Sequence, residues 1–125
     1  MTAAAWRYTV HVMDERRLGS RKRVILPVRL QVRGVVRWAE TRTEDLSARG
    51  FRCLMHGHLW PLGTPVVFEL PLFPAQAPLS GTARVVHVEQ LPHSDQCSVG
   101  FRFSDVSPDA LHQLHLYLKE SQAAS

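Results

Sequence analysis

Five basic residues stand within the eight positions from Arg16 to Arg23, in the stretch "DERRLGSRKRV". Positive charges packed this closely repel one another, so solvent or an anion must compensate them. Arg17 and Arg21 are separated by Leu18-Gly19-Ser20, and Gly19 disfavours a helix, so the stretch reads as a flexible loop entering the first strand. Such a loop can bend two guanidinium forks around one anion, and a solvated basic run is the plain alternative. A second constellation, "EDLSARG", holds Asp45, Ser47 and Gly50. Asp and Ser can simply bond their own backbone in a turn, with Gly50 at a positive φ. They also make a small polar platform. A carboxylate matches the N1–H and N2–H₂ donors of guanine, while arginine matches its O6 and N7 acceptors. Together the acid turn and the arginine loop carry the groups a guanine nucleotide needs.

The elements that must position these residues are strands. Val24, Leu26, Val28, Leu30 and Val32 alternate with polar Arg29, Gln31 and Arg33, the period of a half-buried strand. Pro27 lacks an N–H for the ladder and suits an edge or the strand's opening segment. Gly34 allows a tight turn, and "VVRWAETRT" reads as a second strand with Val36 and Trp38 on one face. "GFRCL", "TPVVFELPL", "GTARVVHVEQ" and "QCSVGFRFS" supply four more. In the last, Cys97, Val99, Phe101 and Phe103 share a face. Arg84, His87 and Arg102 lie on these later strands, where they could reach a ligand, but exposed charges pairing with a neighbour are the plainer reading. Six short strands predict a sandwich or barrel. A helix over Pro108–Glu120 closes the chain: Ser107 can cap it, Pro108 suits its first position, and Asp109 favours its positive end. Leu111, Leu114 and Leu118 recur at helical spacing, to pack on the barrel or a partner.

An R-x-x-x-R, then "VILPVRL", then D-x-S-x-x-G some two dozen residues later, and finally "VGFRF", resemble the PilZ domain family over most of the chain. The resemblance implies a mainly β fold, a six-stranded antiparallel barrel with a C-terminal helix. It divides the chain into a flexible segment at 1–14, a PilZ domain at 15–120 and a tail at 121–125. It further implies a receptor for the bacterial second messenger cyclic di-GMP, with Arg17, Arg21, Asp45, Ser47 and Gly50 as ligand-binding residues. Gly50 would keep the surface clear for the base. An additional Arg directly before the motif, here Arg16, is associated in the family with two intercalated ligand molecules. The implied partners are cyclic di-GMP and a protein effector, and no residue names the pathway.

Composition bounds the rivals. The 125 residues suit one domain, and 45% apolar with 21% charged residues is ordinary for a globular chain. A net charge of +4 makes RNA or single-stranded DNA a rival ligand, but such surfaces need exposed aromatics for stacking. A PilZ-like scaffold with a silent nucleotide site is the other alternative. Cys53, His56 and His58 form C-x-x-H-x-H with Cys97 as a fourth candidate, but the spacing matches no standard zinc module, so no metal is expected. No P-loop or nucleophile–base arrangement is present, so the chain reads as a non-enzyme. Two cysteines, no long apolar run and no signal-like start predict a reduced, cytoplasmic protein.

Overall fold

The structure, a computed structural model, describes residues 23–56 and 60–124. Six strands, β1 (Pro27–Val32), β2 (Ala39–Leu46), β3 (Gly50–His56), β4 (Pro65–Leu70), β5 (Leu79–Gln90) and β6 (Gln96–Asp105), precede one helix, α1 (Pro108–Ala124). They close into an antiparallel barrel in the order β1-β2-β3-β6-β5-β4, with β4 pairing back onto β1. Closure pairs both sides of every strand, so none is left as an edge.

Alternation explains which residues fill the barrel. Val28 and Leu30 of β1, Phe51 and Cys53 of β3, Val66, Phe68 and Leu70 of β4, and Val99 and Phe101 of β6 point inward and are buried. Phe51 stacks on Phe101 with ring centroids 5.0 Å apart, and Phe68 packs against Phe103 at 5.3 Å. The outward side of β1 is polar. Arg29 lies opposite Glu40 and Glu69 across its two neighbouring strands, 3.2 Å from the Glu69 carboxylate, and covers the Trp38 ring at 4.6 Å.

Two expectations about faces are corrected. The second strand begins at Ala39 rather than Val35, and Val36 is 90% exposed. Gly34 turns the chain at φ 88°, and Val35 N–H donates to Val32 O at 2.9 Å, which holds both valines in the hairpin connection. His87 is also buried, at 3% exposure, rather than an exposed charge. It lies opposite Gly100 on β6, whose missing side chain leaves room for the imidazole.

Ser107 caps α1 as expected, its Oγ accepting from Ala110 N–H at 3.1 Å. Leu114 is fully buried and Ala110, Tyr117 and Leu118 pack on the core, but Leu111 is 36% exposed. The helix runs to Ala124, past the expected end at Glu120.

Candidate functional site

The acid turn is built by a break in the β2–β3 ladder. Thr43 pairs with Cys53 and Asp45 with Arg52, so two steps along β2 match one along β3. Glu44 is the extra residue of a β-bulge, a feature that re-aims the side chains beside it. Inward Thr43 and Leu46 are three positions apart instead of two, and Asp45 is placed on the outer face beside Arg52. The Asp45 Oδ2 lies 4.0 Å from the Arg52 Nη1, and the two side chains are 16% and 10% exposed. A carboxylate this covered gains from a nearby guanidinium, which offsets part of the cost of removing it from water.

Ser47 and Gly50 shape the turn that follows. Ser47 N–H donates to Gly50 O at 2.9 Å, and the Ser47 Oγ accepts from Arg49 N–H at 3.1 Å. Ser47 is only 2% exposed, and the bond its hydroxyl accepts from Arg49 is that of a turn-building serine. Gly50 opens β3 opposite Arg102, where an added Cβ would overlap the Phe101 carbonyl oxygen. Its φ lies outside the positive region, so its missing side chain serves a close approach of backbone to backbone rather than a left-handed turn.

The strand face around Asp45 borders an open cleft of about 550 Å³, whose lining includes Arg23, Glu44, Asp45, Arg52, His56 and Gln96. Ser47 and Gly50 are not part of that lining. The cleft mixes carboxylate acceptors with guanidinium donors, the combination that reads a nucleobase edge and a phosphate side by side. Arg16, Arg17 and Arg21 lie outside the described residues, as do His58 and the segment 1–14. What is described is the chain directly after them. Val24 N–H donates to Glu44 O at 3.3 Å, Thr43 N–H donates to Leu26 O at 2.8 Å, and Leu26 N–H donates to the Thr43 Oγ1 at 2.9 Å. The chain that follows the arginine stretch is thus bonded along β2, at the bulge next to Asp45.

Sequence reasoning missed Glu44, Arg52 and Ser98. The Ser98 hydroxyl donates to the Glu44 Oε1 at 2.9 Å, linking β6 to the bulge. Arg52 was legible in principle, since it falls between inward Phe51 and Cys53. The bulge left one trace, the three-residue gap between Thr43 and Leu46. Cys53 faces the barrel interior while His56 is exposed on the outside, and among the described residues no three His, Cys, Asp or Glu side chains are placed to hold a metal ion.

Residues 15–120 match the family model described as the PilZ domain. The chain belongs to the PilZ domain family. Solved structures agree in fold. The Bacillus subtilis inhibitor of motility, MotI/DgrA, superposes with a TM-score of 0.73 at 18% identity, over 84% of this chain and 50% of that one. The PilZ domain of YcgR from Escherichia coli, with cyclic di-GMP, superposes with a TM-score of 0.63 at 16% identity, over 83% of this chain and 90% of that one. The PilZ domain of CeSA from a cellulose-synthesising bacterium gives 0.63 at 16% identity, over 83% and 99%. This PilZ chain therefore spans half the length of MotI/DgrA, and it spans 45% of a longer YcgR structure with cyclic di-GMP. No curated protein sequence matches it. No helix among the described residues of the PilZ chain is long and apolar enough to cross a membrane.

Proposed function

We propose that this PilZ chain is a receptor for cyclic di-GMP that signals to a protein partner, and that it is not an enzyme. The observation that carries the reading is that Asp45 lines an open cleft where the chain directly after the arginine stretch is bonded. Asp45 stands on the outer face, and that chain is bonded to the residue next to it. Arg21 precedes Val24 by three positions. In this reading Arg17 and Arg21 bind phosphates and the O6/N7 edge of guanine, and Asp45 accepts from the opposite edge. Ser47 and Gly50 complete the ligand set by holding the turn that presents Asp45. Arg16 adds one more guanidinium toward the four phosphate charges that two intercalated ligand molecules would bring. Ligand contacts order the arginine segment against the barrel, changing the surface a partner meets, at a cost in chain entropy that those contacts exceed.

YcgR of Escherichia coli, seen with cyclic di-GMP, supports the ligand class, and MotI/DgrA, an inhibitor of motility, supports a signalling output. A nucleic-acid reading finds less support. Phe51, Phe68, Phe101 and Phe103 pack against one another at the core, and Trp38 lies under Arg29, so the described barrel face offers bases no platform of stacked rings. Competition binding separates the readings. Unlabelled cyclic di-GMP should displace a fluorescent cyclic di-GMP and a single-stranded oligonucleotide should not. Displacement by the oligonucleotide alone favours the nucleic-acid rival, and no binding of the fluorescent ligand leaves the scaffold.

A further inference from the structure

The geometry points to Glu44, the bulge residue, as the positioning residue that aims Asp45. This inference rests on the cyclic di-GMP reading and names how the site is held. Glu44 has no partner in the β2–β3 register, so the ladder alone does not fix it. Two other contacts do. Its backbone carbonyl accepts from Val24 N–H at 3.3 Å, at the exit of the arginine stretch. Its side-chain Oε1 accepts from the Ser98 hydroxyl at 2.9 Å. Ser98 is 4% exposed and lies on β6, opposite Leu54 of β3, so the Glu44 carboxylate reaches across one strand to find it.

The consequence follows from connectivity. Asp45 is the next residue along the chain, and the bulge sets which way its Cα–Cβ bond leaves the strand. A bulge is conformationally softer than a regular ladder, because its extra residue has backbone groups outside the strand pairing. The Glu44–Ser98 bond removes that softness by fixing the extra residue to a strand that the bulge does not belong to. The Val24 bond ties the described start of the chain to the same anchor. One residue thereby fixes the bulge from both sides, through its backbone to Val24 and through its side chain to Ser98. Hydrogen bonds to a charged acceptor are stronger than neutral ones, and Ser98 has water largely excluded from it.

The test is a titration of the full chain with cyclic di-GMP and, separately, cyclic di-AMP. It uses Glu44→Ala, Glu44→Gln, Ser98→Ala and the double variant Glu44→Ala/Ser98→Ala, each first checked for a cooperative melt. Glu44→Ala and Ser98→Ala should each weaken cyclic di-GMP binding by about tenfold, the loss of one bond to a charged group. The double variant should be no weaker than Glu44→Ala, because both substitutions remove the same bond. Glu44→Gln keeps an acceptor oxygen for Ser98 and should bind nearly as the unsubstituted chain does. Preference for cyclic di-GMP over cyclic di-AMP should narrow in the two alanine variants, since Asp45 reads the guanine edge while arginines hold the phosphates of either. A purely structural bond would lower the melting temperature and leave that preference unmoved, which overturns the inference. Weaker binding in Glu44→Ala with normal binding in Ser98→Ala also overturns it, because Glu44 would then touch the ligand itself. Absence of binding by the unsubstituted chain overturns the receptor reading and this inference with it, whereas normal binding by every variant overturns this inference alone.

Discussion

Asp45 of β2 and Arg52 of β3 face each other across the ladder, 4.0 Å apart at Oδ2 and Nη1, with both side chains nearly covered. The pair sits on the outside of the barrel, where alternation would ordinarily place exposed residues. Its charges are opposite, its distance is at the long end for an ion pair, and its burial makes each charge costly without compensation. The wall of the cleft is therefore both a stability element and a presenter of the carboxylate.

Replacing Arg52 should separate these roles. Arg52→Ala leaves a covered carboxylate with less compensation and should destabilise the fold by about 1–3 kcal/mol, between the values for exposed and fully buried pairs. Arg52→Lys should recover only part of this, because a point charge does not reproduce the planar fork. Urea denaturation monitored by circular dichroism measures both. An unchanged midpoint in Arg52→Ala would show that the pair contributes nothing to folding.

Gly50 should tolerate no side chain. In Gly50→Ala the new Cβ meets the Phe101 carbonyl oxygen, which belongs to a paired backbone and cannot swing aside as a flexible side chain would. The strain should cost about 3 kcal/mol, the upper range for overpacking. Thermal melting checks it, and a melting temperature within about 2 °C of the unsubstituted protein would contradict the close approach.

Cys53 should make the fold sensitive to alkali. Burial, with Glu44 and Asp45 nearby, pushes its thiol well above the ordinary value of 9.0. The folded state therefore keeps this proton at pH values where the unfolded chain has released it. The stabilisation is fully present below pH 9.0 and falls as pH rises through the unfolded value toward the folded one. Stability measured against pH should fall more steeply above that point for the unsubstituted chain than for Cys53→Ala. Parallel curves for the two would contradict this prediction. A thiol reagent should reach Cys53 only when the protein opens.

The arginines and the acid should fail differently. Arg17→Ala and Arg21→Ala should each weaken cyclic di-GMP by about tenfold or more, with a shallower dependence on salt, because a phosphate contact is lost. Asp45→Asn keeps an acceptor but adds a donor facing guanine's N–H groups, and should erode base preference more than salt dependence. Fluorescence titrations at two salt concentrations distinguish the patterns, and equal salt slopes for all three variants would contradict the division of tasks.

Much of the barrel was legible because burial imposes period two. Val28 and Leu30, Cys97, Val99 and Phe101 declared their strands and faces, and Ser107 with Asp109 declared the start of α1. The exceptions have local causes. Val35 and Val36 are apolar yet stand in a hairpin connection, since the positive φ at Gly34 and the bond from Val35 to Val32 commit them to the turn. His87 is buried because Gly100, thirteen residues later, is small, and that pairing exists only once β5 and β6 are in register. Asp45 was identifiable as a residue type in a motif. Its aim was not, because the bulge at Glu44 depends on counting two strands against each other and on a serine from a third.

The central claim is that Asp45 and the arginine segment form one receptor for a guanine dinucleotide. Isothermal calorimetry with cyclic di-GMP on the full chain, beside Asp45→Ala, tests it most directly. The expected result is saturable heat with two ligand molecules per chain, abolished in Asp45→Ala. Absence of heat at high-micromolar ligand, or equal binding by the two proteins, would contradict it.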